Sequence, residues 1–129
     1  MIGSTARVSR TVTPQSTASA VGSGDLPVFS TPMMIALMEQ AACAAVDPHL
    51  VAEGHTSVGT HVDVHHTAAS PEGATVEAIA EVTDVQGRVV TFRVAAHQVT
   101  ADERVEIGHG THTRAIVDRT RFLDAVRRP

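Results

Sequence analysis

A chain of 129 residues is long enough for one domain with an apolar core and too short for two. It contains no Trp, no Tyr and three Phe, so the core must be built from Val, Ala, Ile, Leu and Met. The formal net charge of −4 and the lack of aromatic platforms argue against a nucleic-acid-binding protein. Residues 1–129 are therefore interpreted as a single domain.

The single cysteine and the first residues indicate the compartment. Cys43 excludes an intrachain disulfide, and its apolar surroundings are typical of a small core residue. The first ten residues lack the apolar run of a signal peptide, and no stretch approaches the length that spans a bilayer. We expect a cytoplasmic protein without membrane or nucleic-acid partners. Because small side chains give each copy a thin core, self-association into a homodimer is also expected.

The first quarter of the chain has weak patterns. Residues 6–12 alternate and are predicted to form a strand. Residues 13–25 are rich in Ser, Thr, Ala and Gly, and we predict mainly a mobile loop there, with a short extended piece at residues 18–21. Both a lid and a simple connector fit such a loop, because it leads into the strongest helical pattern of the chain.

That helical pattern covers residues 29–50. Thr31 suits an N-cap and Pro32 suits the first helical position, where its missing N–H costs nothing. Asp47-Pro48 is predicted to end the helix. Residues 33–46 are apolar on nearly every side, and such a helix is normally enclosed by the rest of the fold. A long central helix is therefore predicted.

Glu39 is the ionisable residue in the middle of this helix. At helical spacing its neighbours are Ile35, Ala42 and Val46, so part of its surroundings is apolar however the helix is turned. A carboxylate in such a place is costly unless it is paired or functional. The functional interpretation is favoured, and the alternative is a surface glutamate that reaches past Gln40 into water.

After a turn at residues 52–54, the chain is predicted to be strand. Residues 57–68 alternate, so two sets of side chains are expected on opposite faces. The predicted helix-facing set is Val58, Thr60, Val62, Val64 and His66. The predicted outward set is Gly59, His61, Asp63 and His65.

Three further strands are predicted at residues 75–85, 88–99 and 105–117. Gln86-Gly87 is a typical hairpin signal between two alternating runs, and the two glycines of GHGTHTRAIV indicate a bulge or a close backbone approach. At the end of the chain, three apolar residues have helical spacing and are predicted to cap the sheet: Phe122, Leu123 and Val126.

The order of one strand, one buried helix and four consecutive strands predicts an α+β fold. Because no helices separate the last four strands, the sheet must be antiparallel. A twisted antiparallel sheet wrapped around one long central helix is the hotdog architecture.

Eight histidines raise the question of a metal site. No metal-binding motif is present, and His61 and His65 point away from His66 on the predicted strand, so no metal is predicted. His109 and His112 are likewise expected to be surface residues. Cys43 has no basic partner near it in the sequence, so it is not predicted to be a nucleophile.

Thr31, Glu39 and His66 remain as candidate catalytic residues. A hydroxyl, a carboxylate and an imidazole supply the nucleophile or oriented water, the base and the proton carrier of acyl transfer. The hypothesis requires His66, from the sheet, to meet Glu39. Eight helical residues rise about 12 Å, so Thr31 and Glu39 cannot touch within one regular helix. Either the helix begins after Pro32, or two protomers share the site.

Three segments, FSTPMMIALMEQA, SVGTHVDVHHTAASPEG and GHGTHTRAIV, resemble in order and spacing those of the fluoroacetyl-CoA thioesterase family. The resemblance spans residues 29–117 and implies a homodimeric acyl-CoA thioesterase of hotdog fold, with no cofactor beyond the coenzyme A of its substrate. It also implies five site residues: the catalytic positions Thr31, Glu39 and His66, and the substrate- or coenzyme A-binding positions Gly59 and Arg114.

The chain departs from this family just before the helix. The founding enzyme is aromatic-rich there, whereas STASAVGSGDLPVF has Phe29 as its only aromatic residue, so selectivity for a fluorinated acyl group is not implied. Pro32 and Gln40 also differ from the residues expected at these positions in the family. The predicted function is hydrolysis of a short acyl-CoA thioester in a cleft between two protomers. The main alternative is a non-catalytic protein that binds acyl-CoA or a small hydrophobic ligand, and a hydratase fits less well.

Overall fold

In a computed structural model that describes residues 1–128, a five-stranded antiparallel sheet surrounds one long helix. The spatial order of the strands is β1-β3-β4-β5-β2, which leaves β1 and β2 at the edges. The predicted hotdog fold is confirmed. The strands are β1 (Thr5–Thr11), β2 (His55–His66), β3 (Thr75–Gln86), β4 (Val89–Val99) and β5 (Arg104–Asp118), and the helices are α1 (Ala18–Val21), α2 (Thr31–Leu50) and α3 (Arg119–Val126).

The central helix α2 begins one residue after its cap. The Ser30 hydroxyl accepts a hydrogen bond from the Met33 amide at 3.3 Å, so Ser30, and not Thr31, is the N-cap. Thr31 is the first helical residue. The alternative that the helix begins after Pro32 is therefore wrong.

The predicted end of α2 at Asp47-Pro48 is also wrong, because the helix continues to Leu50. A proline in the last turn removes one backbone hydrogen bond. Leu50 is nearly fully buried, and its contact with the core holds the turn that follows Pro48.

The core lies between α2 and the inner face of the sheet. Alternate residues of β3 and β4 are buried, as a strand with one face on the core requires. Alanines on both sides allow the helix axis to approach the sheet closely. The buried side chains include Met34, Leu37, Met38, Ala41, Ala42 and Val46 from α2, Val76, Ala78, Ala80 and Val82 from β3, and Val90, Phe92, Val94 and Ala96 from β4.

A β-bulge in β2 changes which of its residues face the helix. Gly59 pairs with Arg114 and His61 pairs with Thr113, so Thr60 is the extra residue. The bulge reverses the alternation. Gly59 therefore lies on the helix side, with His66, and the prediction that these two residues occupy opposite faces is wrong.

The segment before α2 is held by hydrogen bonds. The Ala18 amide donates to the Val28 carbonyl at 2.8 Å, and the Phe29 amide donates to the Ser70 carbonyl at 2.9 Å. The extended piece predicted at residues 18–21 is wrong, since α1 forms there. Thr17 caps this single turn and Gly22 ends it in a left-handed conformation, φ 89°.

The apolar residues of α3 do not cap the sheet as predicted. Phe122, Leu123 and Val126 are all exposed. Their helical spacing predicted an apolar face correctly, but spacing does not reveal what covers that face. No helix within residues 1–128 has the length and apolarity needed to cross a lipid bilayer.

Candidate active site

Thr31 and His66 meet at the beginning of α2. The Thr31 Oγ1 atom lies 2.8 Å from His66 Nδ1, at hydrogen-bonding distance. The Phe29 ring packs edge-on against the imidazole, with ring centroids 6.5 Å apart. Burial lowers the pKa of His66, which favours the neutral ring. In the tautomer with a free lone pair on Nδ1, the Thr31 hydroxyl donates to it, which is the arrangement of a nucleophile and its base.

Two cavities adjoin this pair. An open cleft of about 280 Å³ is lined by both Thr31 and His66, so the pair is accessible. A second cavity of about 180 Å³ lies against Met33 and Leu37 of α2. Phe29 lines both cavities.

Glu39 belongs to a different group of side chains, formed by the middle of α2 and by β5. Its Oε2 atom accepts a hydrogen bond from Arg114 Nη1 at 3.2 Å and lies 3.9 Å from His112 Nε2. The Glu39 side chain is 38 % exposed, whereas the Arg114 side chain is 8 % exposed. The carboxylate is thus paired but still accessible from solvent.

Arg114 is held on several sides. Its Nε donates to the Ser57 hydroxyl at 2.8 Å, and its Nη2 donates to the Ser57 carbonyl at 3.0 Å. A buried guanidinium is costly without such partners. Because these bonds come from β2, they hold the Nε and Nη2 atoms of the guanidinium against that strand.

His112 completes this group. It is 1 % exposed, so the prediction of a surface histidine is wrong for this residue. Its ring stacks on Phe92, with centroids 5.8 Å apart, and burial lowers its pKa. Gly110, His112 and Arg114 occur at a spacing of two in β5, and this alternation was the sequence signal that His112 faces inward with Arg114.

Gly59 lies directly against the carboxylate. A Cβ atom at this position would stand 2.6 Å from Glu39 Oε2 and 3.3 Å from Arg114 Nη1. Gly59 and Arg114, the two predicted binding positions, are therefore both brought to Glu39. The absence of a side chain at Gly59 leaves the room that the Glu39 carboxylate occupies.

The five predicted residues thus form two groups within one chain. Thr31 and His66 form one, and Glu39 with Gly59 and Arg114 forms the other. In this chain, His66 is not the histidine beside Glu39, although the hypothesis required His66 to meet Glu39. Along α2, Thr31 and Glu39 are separated by eight residues, or about 12 Å.

The remaining candidates give no further site. Cys43 is half-buried, and burial raises the pKa of its thiol, which favours the unreactive protonated form. In the part of the chain that the structure describes, no three His, Cys, Asp or Glu side chains are grouped as a metal site requires. That the protein uses no metal stays a prediction.

Comparison with known proteins places this chain in a family. Residues 12–120 match a family model described as fluoroacetyl-CoA-specific thioesterase. A fluoroacetyl-CoA thioesterase from Streptantibioticus cattleyicolor is 45% identical to the chain over 100 residues, which cover 78% of this chain and 68% of that protein.

Solved structures agree with the sequence matches. A Thr-to-Ser mutant of the fluoroacetyl-CoA protein FlK, in complex with acetyl-CoA, superimposes with a TM-score of 0.89 at 35% identity, over 99% of this chain and 97% of that one. A hypothetical protein from Thermus thermophilus, described as a thioesterase superfamily member, gives a TM-score of 0.88 at 28% identity, over 99% and 91% of the two chains.

Proposed function

This chain belongs to the fluoroacetyl-CoA-specific thioesterase family, and from that premise we propose that it is a thioester hydrolase that cleaves a short-chain acyl-CoA. The observation that carries this proposal is the 2.8 Å contact between Thr31 Oγ1 and His66 Nδ1 in an open cleft. The cytoplasm is the proposed compartment.

The proposed chemistry uses three side chains. Glu39 either attacks the thioester carbonyl carbon or takes a proton from an attacking water, and Thr31 orients the reacting atoms or itself attacks. His66 stabilises the charge that develops and protonates the departing coenzyme A thiolate. The proton comes from the Thr31 hydroxyl if Thr31 attacks, from the water by way of Glu39 if water attacks directly, and from the water that later hydrolyses the acyl-enzyme if Glu39 attacks. One water is consumed, and a carboxylic acid and free coenzyme A are formed.

We propose that two protomers share the site. Support comes from the separation of about 12 Å between Thr31 and Glu39 that the rise of a regular helix gives over eight residues. Further support comes from β2, which lies at a sheet edge with residues 59–63 exposed and so offers unpaired backbone groups to a second copy. A two-fold homodimer then brings Thr31 and His66 of one copy to Glu39 of the other.

The first experiment is turnover by the purified protein on a panel of acyl-CoA esters, with released thiol measured by a trapping reagent. Acetyl-CoA and fluoroacetyl-CoA belong in the panel because relatives are named for, or bind, these esters. We expect hydrolysis that Glu39→Gln abolishes and that Glu53→Gln, at an exposed glutamate elsewhere, leaves unchanged. Equal rates for the wild type and Glu39→Gln on every ester would reject the proposal. A tight complex without hydrolysis, unchanged in His66→Ala, would instead support the binding-protein alternative.

Complementation tests the shared site. His66→Ala and Glu39→Gln copies, inactive alone, are unfolded, mixed and refolded. In a two-fold dimer, each mixed pair has one site with both residues intact, so about a quarter of the wild-type activity should return. If the site lies within one chain, the mixture stays inactive.

The two chemical routes differ in their intermediates. An attacking Glu39 or Thr31 forms a covalent acyl-enzyme and releases coenzyme A first, whereas direct attack by water forms none. Rapid acid quenching followed by mass spectrometry of the peptide that contains residues 31–39 separates them. An added acyl mass on this peptide indicates the covalent route, and its absence during turnover indicates attack by water.

A further inference from the structure

His112 is a buried histidine of the active-site region to which neither the predicted chemistry nor the family resemblance gives a role. Each of its ring nitrogens has a polar partner. Nδ1 lies 2.7 Å from the His61 carbonyl oxygen, and Nε2 lies 3.2 Å from Arg114 Nη1. Stacking on Phe92 fixes the plane of the ring.

These partners determine the tautomer. A carbonyl oxygen can only accept a hydrogen bond, so Nδ1 of His112 carries the hydrogen. A guanidinium nitrogen can only donate, so Nε2 must be unprotonated and accept from Arg114. His112 is therefore the neutral Nδ1–H tautomer, since a proton on Nε2 would oppose the N–H of Arg114.

The same nitrogen of Arg114 also binds Glu39. Nη1 carries two hydrogens, and its two acceptors are His112 Nε2 at 3.2 Å and Glu39 Oε2 at 3.2 Å. Ser57 occupies Nε and Nη2. Without His112, one Nη1 hydrogen would be left without an acceptor, and only the Glu39 carboxylate would hold the Nη1 end of the guanidinium.

The charged and titratable groups near His112 come from three elements. Arg114 lies on β5, Glu39 lies on α2, and His61 lies on β2. Cys43 of α2 also faces Arg114. Burial, the largest influence, lowers the pKa of His112, which is consistent with a neutral ring.

We propose that His112 is a positioning residue: as a neutral acceptor, it fixes the Arg114 guanidinium in the orientation that binds the Glu39 carboxylate. It acts through Arg114 and does not itself contact the reacting atoms. The kinetic part of this proposal rests on the proposed hydrolase function, and the tautomer does not.

The tautomer is tested by nuclear magnetic resonance on wild-type protein labelled with ¹⁵N in histidine and arginine. At pH 7.5 we expect His112 as the neutral Nδ1–H form, and slow solvent exchange of the Arg114 Nε–H. An imidazolium or an Nε2–H tautomer would overturn the proposal.

Two variants separate positioning from packing. His112→Gln keeps an acceptor within reach of Arg114, whereas His112→Phe keeps the ring on Phe92 and removes the acceptor. We expect His112→Phe to lower kcat for acetyl-CoA by about tenfold or more, and His112→Gln to stay within about threefold of wild type. His109→Phe, the same change at an exposed position of β5, is the control and should leave kcat unchanged. Equal losses in the Gln and Phe variants would contradict positioning.

A double-mutant cycle gives the decisive readout. If His112 acts through Arg114, His112→Phe should cause no further loss of kcat in an Arg114→Gln background. An equal loss in both backgrounds would show a role independent of Arg114. If the wild type hydrolyses no ester, the proposed function fails, but exchange still decides this inference. In that case, the protection of the Arg114 Nε–H against solvent exchange must drop about tenfold in His112→Phe and persist in His112→Gln. Equal protection in the two variants would overturn the inference.

Discussion

Even a methyl side chain at position 59 would occupy the space of the Glu39 carboxylate. The distance of 2.6 Å from a Cβ to Glu39 Oε2 is shorter than two such atoms allow, so one of them must move. We expect Gly59→Ala to lower kcat by about 100-fold, because displacement of a reacting group by about 1 Å has effects of that size. Steady-state hydrolysis of acetyl-CoA measures this loss.

Gly24→Ala is the matched control. Its new Cβ would lie 3.3 Å from the Ala18 Cβ, a tight contact that is remote from Glu39. It should leave kcat near the wild-type value. Gly59→Ala with full activity would show that Glu39 does not react from the position described.

The lowered pKa of His66 predicts where kcat/KM falls on the acidic side of its pH profile. Burial lowers its pKa from the ordinary value near 6.5, so the neutral ring persists to a lower pH than in an exposed histidine. If the neutral ring must accept a proton, kcat/KM should fall only below pH 6.5. A profile measured from pH 4.5 to 8 checks this. A limb above pH 6.5 would contradict the neutral-base role.

At the residue scale, the sequence singled out candidate site residues but not all of their neighbours. Glu39 was noticeable as a charge within an apolar helix, and a motif resemblance pointed to Thr31, His66, Gly59 and Arg114. The contact of Glu39 with β5 joins residues 75 positions apart. Local periodicity carries no information on such a pair, so His112 was not recognised as the histidine that lies beside Glu39 in the same chain.

At the scale of elements, the sequence predicted the type and order of the main ones. Four strands and α2 were predicted well because their apolar periods run over ten or more residues. The errors lie where the alternation of a strand or the apolar pattern of a helix is interrupted. The bulge at Thr60 inserts one residue without changing the composition of β2, and Pro48 is tolerated in the last turn of α2 because Leu50 is buried.

The segment that precedes α2 leads to a prediction about the length of the acyl chain that the site accepts. Phe29 lines both the open cleft and the cavity against Met33 and Leu37. Phe29→Ala shortens a side chain that lines both cavities and should admit longer acyl chains. We expect the kcat/KM ratio of hexanoyl-CoA to acetyl-CoA to rise about tenfold or more, since each accommodated methylene contributes a factor of that order.

A buried Phe→Ala change costs about 3–5 kcal/mol of unfolding free energy, so Phe29→Leu provides a milder second variant. Phe122→Ala, at an exposed ring on α3, is the control and should leave the ratio unchanged. An unchanged ratio in both Phe29 variants would show that the second cavity does not receive the acyl chain.

For the whole molecule, the half-buried His66 and the buried His112 predict how stability depends on pH. The pKa values of His66 and His112 are both lowered, mainly by burial. Below pH 6.5 the unfolded chain therefore binds protons that the folded chain does not, and the free energy of unfolding decreases as the pH falls. For the fully buried His112, the slope is at most about 1.4 kcal/mol per pH unit.

Urea unfolding between pH 5.5 and 7.5 measures this dependence. His112→Phe cannot take up the proton in either state, so its stability should vary less over this range than that of the wild type. An equal slope in both proteins would show that His112 titrates normally in the folded state.

The edge position of β2 has a consequence for how activity scales with the amount of protein. A copy that lacks a neighbour along this strand holds Thr31 and His66 at one place and Glu39 about 12 Å away, so by our proposal it is inert. The rate of hydrolysis per chain would then fall on dilution, because dimer formation obeys mass action. A cell that halves its supply of the protein would lose more than half of its hydrolytic capacity, and abundance alone would act as a threshold for the enzyme.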